Sequence, residues 1–95
     1  MPRPRIHRRL TGSLQEEIYK PAGIPLAELQ QVMLQPDELE ALRLADLEGQ
    51  SQAEGAASMG ISRSTFQRIL QRAHRQVALA LSERRALRIL DKQEE

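Results

Sequence analysis

The chain has 95 residues, enough for one small domain but too few for two independent cores. It contains no cysteine, which excludes disulfides, thiolate metal sites and thiol nucleophiles together. No apolar run approaches the roughly 20 residues of a membrane span, and the Arg-rich start lacks the hydrophobic stretch of a secretory signal, so we expect a cytoplasmic protein. Apolar residues make up 40% of the chain but include only one Phe and one Tyr, which favours an all-α core.

Charge is distributed in blocks, although the net charge is only +1. Residues 1–9 contain four arginines and no acid, and residues 55–82 again contain four arginines and no acid. Between them, residues 37–54 contain six acids against Arg43 alone. A near-neutral average therefore hides two basic blocks around an acidic one.

Residues 1–25 are predicted to be a basic arm followed by a connector. Two prolines within the first four residues remove backbone donors and disfavour helix before them, so the arm should be extended. Further Gly and Pro residues between 11 and 25 predict a connector with one short turn around Gln15 to Tyr19. Residues 26–34 carry apolar side chains at helical spacing, which predicts a short helix.

Start and stop signals predict two further helices before residue 60. Pro36 and the two acids after it suit the first turn of a central helix that runs to about Leu47, with leucines spread around its axis. Ser51 and Glu54 have the spacing of a capping box, so a helix should follow from about residue 52 to 59. Gly60 can end that helix in the left-handed conformation.

A longer helix is predicted from Arg63 to about Leu81, with Ser62 as its N-cap. Ser82 could begin another short helix, and residues 91–95 should fray. The prediction as a whole is an all-α helical bundle in residues 26–90, preceded by the extended basic arm.

Projection of the long helix at 100° per residue separates two faces. One arc is apolar and consists of Phe66, Ile69, Leu70, Ala73, Val77 and Leu81. The opposite side carries Arg68, Arg72 and Arg75, flanked by Ser64, Gln67 and Gln71. One face is therefore predicted to be core and the other a ridge of hydrogen-bond donors free of carboxylates.

A short capped helix, a glycine-containing turn and a longer second helix form the pattern of a DNA-binding helix-turn-helix, whose second helix enters the major groove N-terminus first. The residues predicted to shape the turn are Ala56, Gly60, Ile61 and Ser62. Base contacts are predicted for Arg63, Ser64, Gln67 and Arg68, because Arg suits guanine and Gln suits adenine. Contacts to the DNA backbone are predicted for Arg72, Arg75 and the arm residues Arg3, Arg5, Arg8 and Arg9.

Other interpretations of the same residues stay open. Arginines on an amphipathic helix can be a solvated face, and a Pro/Arg-rich arm can serve solubility alone. The acidic block from Asp37 to Glu54 could instead bind RNA polymerase or another regulator. An RNA-binding role is disfavoured because aromatic stacking platforms are missing. No catalytic constellation is present, so no enzyme activity is predicted, and His7 and His74 lack partners for a metal.

The segment DELEALRLADLEGQSQAEGAASMGISRSTFQRIL, residues 37–70, resembles the C-terminal, promoter-reading domain of bacterial sigma factors, above all in GISRST. From Met1 to about Ile89 the chain resembles a family of small prokaryotic proteins predicted to bind DNA through that kind of helix-turn-helix. The matching motifs are MPRPR, the arginine pair at 8 and 9, KPAGIPLAELQQV at 20–32 and LADLEG at 44–49. The resemblance implies an all-helical domain that contacts double-stranded DNA through residues 63, 64, 67 and 68.

Two departures from that family's pattern bear on the expectations. His7 and Thr11 stand where the family often has cysteines, so we expect no metal or cofactor in the arm. Gly55 stands where an alanine or larger apolar residue is usual, and a mid-helix Gly costs about 1 kcal/mol relative to Ala, so the short helix should be less stable.

A homodimer or higher oligomer is also expected. One helix-turn-helix unit touches only a few base pairs, so useful specificity needs a second unit or a second protein. Leu79 lies off the apolar arc, and three further apolar residues follow at 87, 89 and 90. Self-association is therefore predicted through residues 77–90.

Overall fold

The computed structural model describes residues 15–91. Its elements are three strands and three helices, with a 3-10 turn at Leu26–Glu28. They are β1 (Gln15–Tyr19), β2 (Gln31–Leu34), α1 (Pro36–Leu42), α2 (Gln52–Met59), α3 (Arg63–Ser82) and β3 (Ala86–Asp91). The predicted arm contacts Arg3, Arg5, Arg8 and Arg9, together with His7, Thr11 and residues 92–95 of the predicted tail, lie outside the described residues.

The prediction of an all-α fold is wrong, because the chain forms a three-stranded sheet and is mixed α and β. Strand β3 is central and pairs antiparallel with β1 and parallel with β2. The segment predicted as a turn at residues 15–19 is β1, and the helix predicted at 26–34 is a 3-10 turn followed by β2. The further helix expected after Ser82 is β3.

Burial in β2 shows why the helical interpretation of residues 26–34 failed. Val32 and Leu34 are buried, whereas Met33 between them is only partly covered, which is the period-two pattern of a strand. In four residues that pattern is too short to distinguish from helical spacing. Both outer strands depend on β3, which lies more than 50 residues away in sequence from Gln31 in β2. The secondary-structure propensity of the residues themselves could not reveal a pairing strand so far away in the sequence.

The predicted self-association segment, residues 77–90, includes most of β3. The backbone of β3 pairs on both sides within the chain, so this strand does not offer a free edge. Leu81, which was assigned to the apolar arc, is instead 74% exposed. Leu47, at the end of the predicted central helix, is also exposed.

The helices begin at the positions that were predicted from their capping residues. Helix α1 begins at Pro36, and a π-helical stretch at Arg43–Leu47 continues it. Helix α3 begins after the N-cap Ser62, whose hydroxyl accepts a hydrogen bond from the Thr65 backbone N–H at 3.1 Å. Within residues 15–91, none of the helices has the length and apolar composition of a membrane span.

One cluster of the core lies where α1, α2 and α3 meet. Its buried members are Ala41, Leu44, Ala56, Phe66 and Ile69. Phe66 is fully buried, and its ring packs directly on the backbone of Gly55: an ideal Cβ at Gly55 would lie 2.4 Å from Cζ of Phe66. Gly55 is therefore required for close packing of α2 against α3. The packing of the Phe66 ring on Gly55 offsets the lower helix propensity of glycine.

Candidate nucleic-acid interface

Hydrogen bonds fix the start of α2 and the turn that joins it to α3. Ser51 and Glu54 form the capping box that starts α2. Gly60 ends that helix with a φ of 71°, in the left-handed region, and the Ile61 N–H donates to the Ala56 carbonyl at 3.0 Å. Ala56 is buried, and Ile61 packs against the core beneath the turn. The two helices are thus fixed relative to each other.

The four predicted base-contacting residues lie in the first two turns of α3 and are all exposed. Arg63 and Arg68 make no ion pair or side-chain hydrogen bond to any other residue in the described range 15–91, and neither does Gln67. Ser64 Oγ lies 3.3 Å from the N-cap hydroxyl of Ser62. The first turn of α3 contains no acid, so the positive end of the helix dipole is not neutralised from within the helix. Unpaired donors therefore surround the start of α3.

The two predicted backbone-contacting residues of α3 differ sharply. Arg75 is exposed and has no ion-pair partner within residues 15–91. Arg72 Nε donates to Glu38 Oε2 at 2.6 Å, and its Nη2 lies 3.9 Å from Asp37 Oδ2. The ridge is therefore not free of carboxylates at Arg72, contrary to the projection. Position 72 lies at the side of α3 that turns toward α1, which a projection of α3 alone cannot reveal.

The sequence did not reveal the role of Glu38, whose buried side chain connects α1 to α3. Its Oε1 accepts a hydrogen bond from the Gln35 backbone N–H at 2.8 Å, which completes the cap of α1. Its Oε2 accepts the Arg72 hydrogen bond. One carboxylate thus ties the start of α1 to the middle of α3. The signal available in the sequence was the three-residue spacing from Gln35.

Two more contacts fix the orientation of α3. His74 Nε2 lies 2.8 Å from Asp46 Oδ2, at the π-helical stretch after α1. The Gln76 side-chain amide donates to the Met33 carbonyl in β2 at 3.2 Å. Paired residues thus connect α3 to its neighbours on both flanks, and the outward face between them keeps Arg68 and Arg75 unpaired within residues 15–91.

The acidic block from Asp37 to Glu54 is largely engaged within the protein. Arg43 pairs with both Glu40 and Glu48. Hydrogen bonding from Arg43 lowers the pKa of the Glu40 carboxyl below its usual value, and the same contact raises the pKa of Arg43. Asp46 meets His74, and Glu54 serves the capping box of α2. These acids thus have local hydrogen-bonding partners, and Arg43 and Arg72 supply two positive charges against the block's six carboxylates.

Comparison of the sequence with known proteins places the chain in a family. The family model described as "Protein of unknown function DUF134" matches residues 1–94. The UPF0251 protein Rru_A1194 of Rhodospirillum rubrum is 56% identical over 89 residues, which cover 94% of this chain and 62% of the relative. The chain thus spans less than two thirds of that protein's length.

Other relatives are matched over more of their length. The UPF0251 protein VPA0321 of Vibrio parahaemolyticus is 51% identical over 92% of this chain and 91% of its own length. The UPF0251 protein DET0218 of Dehalococcoides mccartyi is 53% identical over 94% of this chain and 76% of its own. No solved structure gives a significant match. With a family model covering almost the whole chain and relatives at this level of identity, the chain belongs to the DUF134/UPF0251 family of bacterial proteins.

Proposed function

We propose that the chain is a sequence-specific DNA-binding protein, a transcriptional regulator that inserts the N-terminal half of α3 into the major groove. The observation that carries the proposal is the contrast around α3. Its outward face keeps Arg68 and Arg75 unpaired within the described residues 15–91, and Arg63 in its first turn is unpaired there too, whereas the nearby acids already contact other residues of the chain. A rigid helix presenting unpaired guanidinium groups suits a duplex, whose phosphates and guanine edges accept paired hydrogen bonds.

Roles follow from position along α3. Arg63, Ser64, Gln67 and Arg68 lie near its start, where a recognition helix meets base edges. Arg75 lies further along and is assigned to phosphate. Arg72 is assigned a positioning role through Glu38, because its guanidinium already has a carboxylate partner within the protein.

The alternative is a sigma-like interaction module that binds RNA polymerase or another regulator through the acidic block. An exposed apolar groove at α1, lined by Leu39, Leu42 and Leu47, favours such a contact. The internal pairing of the acids counts only slightly against it, because these pairs are exposed and cost little to break. Substitution of Leu47 by Glu should abolish pull-down in this alternative and leave DNA affinity intact.

Selection of bound sequences from random duplex DNA by the full chain tests the proposal. We expect enrichment of a defined motif. In a low-salt mobility shift, Arg68→Ala should weaken binding to the selected site by roughly 1 to 3 kcal/mol and affect random duplex less. A chain that enriches no motif and binds duplex equally well with and without Arg68 would exclude the assignment.

Self-association completes the proposal, because one recognition helix reads few base pairs. A dimer would show as a palindrome in the selected motif, with half-sites about one helical turn apart. A monomeric mass on DNA and in solution would exclude this part of the proposal and leave the role of α3 intact.

A further inference from the structure

A cavity of about 260 Å³ lies between the C-terminal end of α3 and the face of the sheet that packs on it. Its apolar walls come from Leu81, on α3, and from Tyr19 and Leu87, which are register partners on β1 and β3. Leu81 is 74% exposed and Tyr19 is 58% exposed, so both present unusually open apolar surface. The volume is slightly below the roughly 300 Å³ at which small-molecule sites begin, and suits a ligand of about a dozen non-hydrogen atoms.

The rim of this cavity is cationic. Lys20, Arg84 and Arg85 all line it, and no carboxylate of the described part of the chain does. Lys20 Nζ donates to the Ile24 carbonyl at 2.7 Å, and Arg85 pairs with Glu83 at 2.6 Å, so both are held in place. Arg84 has neither an ion pair nor a side-chain hydrogen bond with the rest of residues 15–91. An apolar pocket with an unpaired guanidinium at its mouth is complementary to an amphipathic anion.

The backbone at Arg84 positions this residue at the end of α3. Helix α3 ends in a turn in which the Arg85 N–H donates a hydrogen bond to the Ala80 carbonyl at 2.9 Å. Arg84, the residue just before Arg85, has a φ of 54°. This left-handed position is ordinarily filled by glycine. Within residues 15–91, Arg84 is the only residue other than glycine with a positive φ. Because the hydrogen bond from Arg85 to Ala80 is the usual C-terminal cap of a helix, this backbone fixes the place of Arg84 beside the cavity and is not itself a sign of function.

From these observations we infer that the cavity binds a small carboxylate with an aromatic or branched aliphatic body. The body lies between Tyr19, Leu81 and Leu87, and the carboxylate pairs with Arg84. Such a ligand would connect β1 to the end of α3. It would therefore act on the element proposed to meet DNA, although its binding does not depend on that function.

Titration of the full-length protein with 3-phenylpropionate, followed by amide NMR shifts, tests the inference without DNA. We expect saturable shifts at Leu81, Arg84 and Leu87. The neutral analogue 3-phenylpropionamide should bind about fivefold or more weakly, because it lacks the charge that Arg84 pairs with. Arg84→Gly should weaken the carboxylate by a similar factor, and because glycine accepts the left-handed backbone this variant should fold at least as stably.

Arg75→Gln is the matched control, since it removes an exposed cation from the same helix outside the cavity, and it should leave the titration unchanged. The inference is overturned if acid and amide bind equally, if Arg84→Gly leaves the affinity of the acid unchanged, or if the shifts fall elsewhere. It is also overturned if the same resonances move with protein concentration and not with ligand, because a second copy of the chain would then fill the cavity.

Discussion

The basic residues along α3 fall into two groups that differ in what their side chains contact. Arg72 and His74 lie at the flanks, where each contacts a carboxylate from α1 or the stretch after it. Arg68 and Arg75 lie on the outward face and have no such partner within residues 15–91. Composition and helical spacing do not distinguish the groups. The neighbouring elements do, so the same residue type fixes the helix at one position and leaves a donor for a ligand at another.

Removal of the buried acid Glu38 should take away the carboxylate partner of Arg72 and cause the largest loss of stability. Glu38→Ala removes the cap of α1 and the partner of Arg72 together, and should lower the free energy of unfolding by about 2 to 4 kcal/mol. Chemical denaturation monitored by circular dichroism measures it. Glu48→Ala, which removes an exposed acid from the same region, should change stability by no more than about 0.5 kcal/mol. Equal losses in the two variants would show that burial does not distinguish Glu38.

The inner side of α3 can be tested at its closest contact with α2. Gly55→Ala places a Cβ against the Phe66 ring, and the overpacking should outweigh the gain in helix propensity for a net loss of about 1 to 2 kcal/mol. A double-mutant cycle with Phe66→Leu measures the coupling. The double variant should be more stable than the sum of the single losses predicts. Additive losses, or a stabilised Gly55→Ala, would mean that the ring does not require glycine.

The two arginines assigned different roles should separate in the salt dependence of DNA binding. Arg75→Ala should reduce the slope of log affinity against log salt by about 0.9, because one phosphate contact is lost, and should leave stability unchanged. Arg72→Ala should leave that slope nearly unchanged and cost about 1 kcal/mol of stability through its lost bond to Glu38. If both variants reduce the slope equally, Arg72 exchanges its carboxylate for phosphate on the duplex, as the sequence alone predicted.

The smallest effect is expected from the exposed pair between Glu40 and Arg43. The pKa of Glu40 is lowered in the folded state, so its contribution is present above the ordinary value of 4.5 and is lost as pH falls through the lower, folded value. Arg43→Gln should therefore melt slightly below the parent chain at neutral pH. Thermal melts at a series of pH values should show that the difference in melting temperature disappears in acid. If it persists in acid, the effect of Arg43→Gln comes from lost packing and not from the ion pair.

The helical half of the chain was accessible from sequence because its signals are local. Ser51, Gly60 and Ser62 mark the ends of α2 and α3, and the observed caps use those residues. The sheet was not accessible, because each outer strand is stabilised by β3 at the far end of the chain. Short strands such as Gln31–Leu34 carry too few residues for periodicity to identify them.

The candidate site could likewise be predicted only where its signals are local. Its turn and the exposed start of α3 follow from caps and spacing. The difference between Arg72 and Arg75 does not, because it depends on where α1 packs against α3. The same limit applies to Gly55, where the cost of a glycine is visible in the sequence and the ring that requires it is not.

Amide NMR mapping of the full chain on a duplex of the selected motif tests most directly whether the outward face of α3 contacts DNA. We expect the largest shifts at Ser64, Gln67, Arg68, Gln71 and Arg75, with small changes in β1 and β3. Shifts confined to the groove of Leu39, Leu42 and Leu47, or to the sheet, with α3 unaffected, would contradict it.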